Sequence, residues 1–332
     1  MKPFSYLHTG LLLLHLATPF LSNFLPDPAL TRPARVHHEI GVPPPSFLAA
    51  GATSGSWQFS NDTQSFPPPK LLNTIEKHRI QLFAGLANVP YCASRREIES
   101  WSCGKCKSLS NIQVHSVIES GGTLGYIATR HDANQLLVDM TQHLRPWRYS
   151  KPSNPTTSMA ILAGFMDAYD HVRHQLHDQI RRYYVPSIHT SGIVFSGHSL
   201  GGSLATIASV DLVLSHVLSA NQIELVTFHT PVIGNHVFAS LVQALHFKSI
   251  DRVTVKNDMI LYGPLHRWQF ADIPGEKYVD GNEIIDCVGT QDPRCSGNKS
   301  SMLGAMTEFP TAHLSLFGKM VFGPLPWGGC LW

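Results

Sequence analysis

Hydrophobic and polar residues follow one another with a changing period, and from residue 70 onward the pattern predicts helices interleaved with strands. Residues 70–89 have apolar positions at helical spacing, "NIQVHSVI" and "LGYIATRHDANQLLV" alternate as strands with a turn at residues 131–134, and "MAILAGFMDAYDHVRHQLHDQIRRYY" is a long helical pattern. The apolar strand "SGIVFSGHS" precedes the helical "LGGSLATIASVDLVLSHVL", and "IELVTFHTP", "FASLVQALHF" and "DRVTVKND" continue as strand, helix and strand. This alternation predicts an α/β fold, with a mostly parallel central sheet flanked by helices in a single catalytic domain.

The first 69 residues lack this periodicity. Residues 1–22 open with Met1-Lys2 and contain "LLLLHLATPFL", an apolar run of signal-peptide length that is shorter than the ~20 residues of a membrane span. We therefore expect a secretory signal in 1–22 rather than an uncleaved anchor. Residues 23–69 are rich in proline and indicate a linker or pro-segment, which leaves 70–332 as the catalytic domain. A second long apolar run is missing, so no stable transmembrane anchor is expected.

Composition and cysteine usage narrow the class of protein. Lys and Arg number 25 against 23 Asp and Glu, and because this near balance does not favour a polyanion, we do not expect nucleic acid as a partner. An even number of cysteines behind a signal peptide indicates three disulfides, although six cysteines allow 15 pairings. These residues are Cys92, Cys103, Cys106, Cys287, Cys295 and Cys330. A redox or zinc role for the Cys103-Cys106 pair is the weaker alternative. The sequons at Asn61 and Asn298 predict glycosylation, and the protein is expected to be extracellular.

The stretch "SGHSLGGSLA" carries the clearest chemical signal. Residues 197–201 fit G-x-S-x-G between a predicted strand and a predicted helix, the context that holds a nucleophilic serine on a strained turn. Glycine at Gly197 and Gly201 permits the tight turn, because side chains there would clash with the strand or the helix. We therefore predict Ser199 as the nucleophile and the backbone N–H of Leu200 as one oxyanion donor. The alternative is a glycine-rich turn with an idle serine.

A serine nucleophile needs a base and an acid, which should follow it in the order acid, then histidine. Asp258 ends the alternating strand "RVTVKND", at the carboxyl edge where α/β sheets place functional groups, whereas Asp211 falls inside the helix after the serine. His313 in "FPTAHLSLFG" precedes an apolar segment that we predict as the last helix, and His266 is the weaker alternative base. The predicted triad is Ser199, His313 and Asp258.

Taken together, "SGHSLGGSLATIASVDL", "LVTFHTPVIGNHVFASLV", "DRVTVKNDMILYGPL" and "AHLSLFG" resemble the fungal class 3 lipases, from about residue 71 to the end of the chain. The resemblance implies a secreted α/β-hydrolase that cleaves acyl esters through an acyl-enzyme, without metal or cofactor. It places the same three residues on the triad. It also implies a lipid or other acyl ester as substrate, triacylglycerol first and feruloyl esters as the alternative. By the same resemblance the disulfides pair Cys92 with Cys330, Cys103 with Cys106 and Cys287 with Cys295.

One expected segment is not found. The family carries Phe-Arg-Gly-Ser/Thr after a strand, with the Ser/Thr N–H as second oxyanion donor and a lid beyond it, whereas here "QLLV" continues into "DMTQHLRPW". The sequence therefore predicts that about a dozen residues of strand, oxyanion loop and lid are missing. Three explanations remain open. A rerouted loop could let Thr141 or a neighbour donate, the protein could be an impaired homologue that binds lipid or a partner without turnover, or the gene could be wrongly spliced.

Overall fold

A computed structural model describes residues 68–142, 159–261, 270–289, 292–296 and 302–323. Within this part of the chain, helices α1–α7 span Thr74–Cys92, Arg95–Glu99, Ala163–Tyr183, Leu200–Leu214, His236–Ala244, Met302–Glu308 and Thr311–Leu314. Strands β1–β13 span Lys70–Leu71, Ile112–Ser120, Thr123–Arg130, Gln135–Gln142, Ile193–His198, Ile223–Phe228, Gly234–Asn235, Ser249–Val255, Phe270–Ala271, Glu276–Asp280, Glu283–Asp286, Ser315–Leu316 and Lys319–Met320.

A nine-stranded sheet organises the described residues, in the order β1-β11-β10-β8-β6-β5-β4-β3-β2. The central strands β4, β5, β6, β8 and β10 run parallel to one another, and antiparallel strands complete both edges. The helices α3, α4 and α5 connect successive parallel strands, as crossovers between parallel strands require. The prediction of an α/β-hydrolase fold with a mostly parallel sheet is confirmed.

Hydrophobic packing on the two faces of the sheet holds these layers together. On one face, α3, α4 and α5 bury side chains such as Phe165, Leu204 and Phe238 against the sheet. On the other face, α1 buries Phe83 and Leu86 over the central strands. Strand β5 is buried along its whole length, as expected for a parallel strand covered on both sides. Its carboxyl end is therefore held rigidly at the point where α4 begins.

The sequence-based expectation of a missing strand is wrong. Residues 135–142 form the complete strand β4, which pairs in parallel with the serine-bearing strand β5 from Leu136↔Ile193 to Met140↔Gly197. The pattern was misleading because β4 carries polar residues at buried positions, among them Asp139, whose pKa is raised well above its usual value by burial. The turn predicted at residues 131–134 joins β3 to β4, and residues 143–158, where the oxyanion loop and lid would follow, lie outside the described residues.

The segment after His313 also differs from its prediction. In place of a last helix, α7 ends at Leu314 and the chain forms the short antiparallel pair β12–β13. The reversal lies at Phe317 and Gly318, which both have positive φ, at 53° and 70°. The hairpin is short, but it holds the residues just beyond His313 against the sheet.

Two of the three implied disulfides are present. Cys103 bonds Cys106 and Cys287 bonds Cys295, and Cys92 is also disulfide-bonded. Cys330 lies outside the described residues, as do both sequons, the predicted signal 1–22 and all but the last two residues of the predicted segment 23–69. Among the described helices, each is too short or too polar to cross a bilayer.

Candidate active site

Ser199 sits on the sharp turn between β5 and α4. Its backbone has φ 55° and ψ −126°, a conformation that residues with a Cβ rarely adopt. Strained backbone of this kind is concentrated at functional sites. The turn is possible because its neighbours are glycines: a Cβ on Gly197 would lie 2.5 Å from the backbone of Gly201, and a Cβ on Gly201 would lie 2.0 Å from the carbonyl oxygen of Met140. The two glycines therefore allow β4, β5 and α4 to meet at the serine.

The structure brings together the three side chains predicted for the triad. The Ser199 hydroxyl donates to His313 Nε2 at 2.8 Å, and His313 Nδ1 donates to Asp258 Oδ2 at 2.9 Å. Asp258 follows the carboxyl end of β8, and His313 lies in α7. All three side chains are buried. The arrangement places an imidazole between an alcohol and a carboxylate, which is the geometry that activates a serine hydroxyl.

Asp258 is held in its ionised form. Burial alone would raise the pKa of its carboxyl group, but the positive charge that His313 can carry, with hydrogen bonds from His229 and His313, reverses this and holds the pKa well below its usual range. The backbone N–H of Ile260 also donates to Oδ1 at 3.0 Å. An ionised carboxylate in this position fixes the His313 ring and stabilises its cation.

A second histidine on Asp258 is a site residue that sequence reasoning missed. His229 Nδ1 donates to Asp258 Oδ2 at 2.9 Å, and both side chains are fully buried. His229 follows the carboxyl end of β6, the strand next to β5 in the sheet. Its position just after a parallel strand is the signal that could have found it, since the sequence search looked only for the base that follows the acid.

His198 is hydrogen-bonded to the backbone of His313. Its Nε2 donates to the His313 backbone carbonyl at 2.9 Å, and its Nδ1 accepts from the Tyr91 hydroxyl at 2.9 Å. The ring stacks on Phe322 with centroids 4.1 Å apart. Burial, followed by the neighbouring imidazoles of His313 and His229, lowers the pKa of His198 well below its usual value. Both hydrogen bonds require a neutral His198 with its proton on Nε2. Because both ring nitrogens of His198 are thus engaged, the imidazole that bonds the Ser199 hydroxyl is that of His313.

The surroundings of Ser199 offer donors to a developing oxyanion. Leu200 is the first residue of α4, and N–H groups of the first turn have no acceptor within their own helix. The end of β4 lies beside it: the Cα of Thr141 is 2.9 Å from where a Cβ on Gly201 would be. The Gln142 side chain donates from Nε2 to the Gly121 carbonyl at 3.3 Å and accepts from the Thr123 hydroxyl, which fixes the end of β4.

Two clusters among the described residues have a spacing that could hold a metal ion, and in both the ligand atoms already have other bonds. One cluster is His229, Asp258 and His313, whose atoms are occupied by the hydrogen bonds described above. The other is Glu276 with Cys287 and Cys295, and these two cysteines form a disulfide. Neither set offers a ready group of free ligands.

The remaining candidates from the sequence lie elsewhere. Asp211 is in α4, as expected, and contacts α3 rather than the serine. The alternative base His266 lies outside the described residues.

Comparison with known proteins agrees with this geometry. The profile of the family "Lipase (class 3)" matches residues 126–267. A secreted mono- and diacylglycerol lipase 2 of Gibberella zeae is 24% identical over 324 residues, which cover 79% of this chain and 78% of the relative. Lipase II from Rhizopus niveus has a TM-score of 0.63 at 22% identity and covers 76% of this chain and 98% of its own. A triacylglycerol lipase with a serine protease triad as its catalytic centre has a TM-score of 0.61 at 22% identity, with the same coverage. The resemblance to the fungal class 3 lipases is confirmed.

Proposed function

From this similarity to fungal class 3 lipases, we propose that the chain is a secreted serine hydrolase of acylglycerol esters, with Ser199, His313 and Asp258 as its triad. One observation carries the proposal: a continuous hydrogen-bonded path runs from the Ser199 hydroxyl through both ring nitrogens of His313 to Asp258, over distances of 2.8 and 2.9 Å. The substrate class is supported by the relatives, since the Gibberella zeae protein is named a mono- and diacylglycerol lipase.

In the proposed reaction, Ser199 Oγ attacks the ester carbonyl carbon while His313 Nε2 takes the hydroxyl proton. Asp258 stabilises the imidazolium that forms. The tetrahedral oxyanion is bound by the Leu200 N–H and by a backbone N–H at the end of β4, from Thr141 or the residue after it. His313 then returns the proton to the leaving alkoxide, an acyl-enzyme remains on Ser199, and water activated by the same histidine releases the fatty acid.

The presence of β4 supports an active enzyme. Losing one oxyanion donor costs about 10²–10³ in rate in another hydrolase, so a missing strand would have favoured an impaired protein. With β4 in place beside α4, the rerouted loop is the explanation we adopt among the three that the sequence left open. Extracellular location is part of the proposal, supported by the predicted signal, by the disulfides and by relatives that are named as secreted.

The experiment compares two serines on α4 and its turn. The full chain is expressed in a secreting yeast host and collected from the medium, then assayed on p-nitrophenyl esters and on emulsified mono-, di- and triacylglycerols. Ser199→Ala should lower kcat by about 10⁴–10⁶ and abolish labelling by a fluorophosphonate probe. Ser203→Ala, one turn further along and fully buried, is the matched control and should remain active and labelled.

A folded wild-type protein that shows neither labelling nor turnover would overturn the proposed hydrolase activity. Labelling that survives Ser199→Ala would overturn the assignment of the nucleophile.

A further inference from the structure

The hydrogen bond between His229 and Asp258 is not needed for the proton path from serine to carboxylate. Asp258 Oδ2 accepts from two imidazoles, His313 Nδ1 and His229 Nδ1, each at 2.9 Å. The second acceptor oxygen, Oδ1, takes the backbone N–H of Ile260 at 3.0 Å. The carboxylate is thus held by three donors from three different segments, and only one of them belongs to the proposed triad.

The backbone at His229 is unusual for a residue with a side chain. Its φ is 52°, in the left-handed region that glycine adopts freely and other residues avoid. Two other histidines, His216 and His246, also have positive φ, but both are exposed where helices end, whereas His229 is fully buried. A buried non-glycine residue held in this conformation indicates that the structure has a use for the side chain.

The surroundings of His229 fix its ring and its protonation state. Among the described residues, the titratable side chains that face the ring are Asp258, His313 and His198, and Phe322 packs against it with centroids 5.5 Å apart. Burial lowers the pKa of His229, with the bond to Asp258 acting in the opposite direction. The lowered pKa favours the neutral ring at neutral pH. Because a carboxylate can only accept a hydrogen bond, the contact with Asp258 requires the proton on Nδ1.

We propose that His229 is a positioning residue for the reaction, which acts through Asp258 and rests on the proposed function. Its N–H holds the plane of the carboxylate so that Oδ2 meets His313 Nδ1. A displacement of about 1 Å in such a group costs up to about 10² in rate.

The test compares substitutions of His229 that keep or remove a hydrogen-bond donor near the position of Nδ1. His229→Asn keeps an amide N–H close to the position of Nδ1 and tolerates left-handed backbone, so kcat should stay within about threefold. His229→Gly also suits the backbone but has no donor, and kcat should fall about 10- to 100-fold with KM nearly unchanged.

Two further measurements keep the outcome clear. His229→Gln places its amide nearer to Nε2 than to Nδ1, so it should behave like His229→Gly, and it serves in that role if the glycine variant does not fold. Urea unfolding of each variant gives its stability. If the donor-free variants keep the kcat of His229→Asn, with or without a loss of stability, His229 is not a positioning residue and the inference is wrong. That result would leave the proposed function intact, because the Ser199→Ala experiment tests it separately.

Discussion

Two centres in this protein, each built around a buried aspartate, contain the same residue types, and only one has them in the order of a catalytic triad. At the carboxyl ends of the central strands, Ser199 contacts His313, which contacts Asp258. Between α3 and α4, Asp211 accepts from His177 Nε2 at 2.7 Å and from the Ser215 hydroxyl at 3.4 Å. In the second centre the carboxylate lies in the middle, so the serine has no base to take its proton. The order of contacts, more than the residue types, separates chemistry from structure.

The two aspartates also differ in their partners. Asp211 forms a two-pronged ion pair with Arg173, through Nη2 at 2.6 Å and Nε at 2.8 Å, and accepts from the Tyr169 hydroxyl at 2.8 Å. A permanent cation thus neutralises it, which joins α3 to α4. The side-chain partners of Asp258 are imidazoles, which carry a positive charge only when protonated; in the proposed reaction, that charge appears on His313 and vanishes again. This is the difference between a carboxylate that holds a fold together and one that supports a base.

The largest expected effect follows from this difference. Asp258→Asn should lower kcat on a p-nitrophenyl ester by about 10⁴, because the amide favours the wrong tautomer of His313. Asp211→Asn should leave kcat within about threefold, since Asp211 has no contact with the triad. Initial rates at saturating substrate measure both. Equal losses of activity in the two variants would contradict the distinction between the centres.

Sequence analysis predicted the three side chains that the structure brings together, but not the residues that surround them. The G-x-S-x-G turn, an acid at the end of a strand and a later histidine are local patterns, and they led to Ser199, Asp258 and His313. The contact of His229 with Asp258 depends on β6 and β8 lying side by side, which no local pattern shows. Only the first half of strand β4, residues 135–138, was predicted as strand, because the buried polar residues that follow, such as Asp139, do not have the apolar pattern of the neighbouring strands.

Stability should respond in the opposite order to activity. Asp211→Ala leaves Arg173 without its partner, and removing one member of a buried ion pair typically costs about 3–5 kcal/mol. We expect the lower end of this range, because 22% of the Arg173 side chain is exposed. Asp258→Ala leaves neutral imidazole donors unsatisfied and should cost about 1–3 kcal/mol. Urea unfolding followed by tryptophan fluorescence compares them, and a larger loss for Asp258→Ala would contradict the assignment of Asp211 as the structural centre.

The smallest effect concerns acid unfolding. Burial would raise the pKa of Asp211, but the hydrogen bonds of His177, Arg173 and Tyr169 lower it to about 2, below the value of about 3.9 for an unfolded aspartate. A carboxyl group with a depressed pKa stabilises the fold above its unfolded pKa, and this contribution is lost as pH falls through the folded pKa. The free energy of unfolding should therefore fall between about pH 4 and pH 2. Asp211→Asn, which has no proton to bind, should show a shallower fall over that window in urea titrations at pH 4, 3 and 2.5. The pKa of Asp258 is also lowered in the folded protein. Because Asp258 is present in both the wild type and Asp211→Asn, the difference between their two stability curves reports Asp211. Parallel curves would mean that Asp211 is not the ionised group that joins α3 to α4.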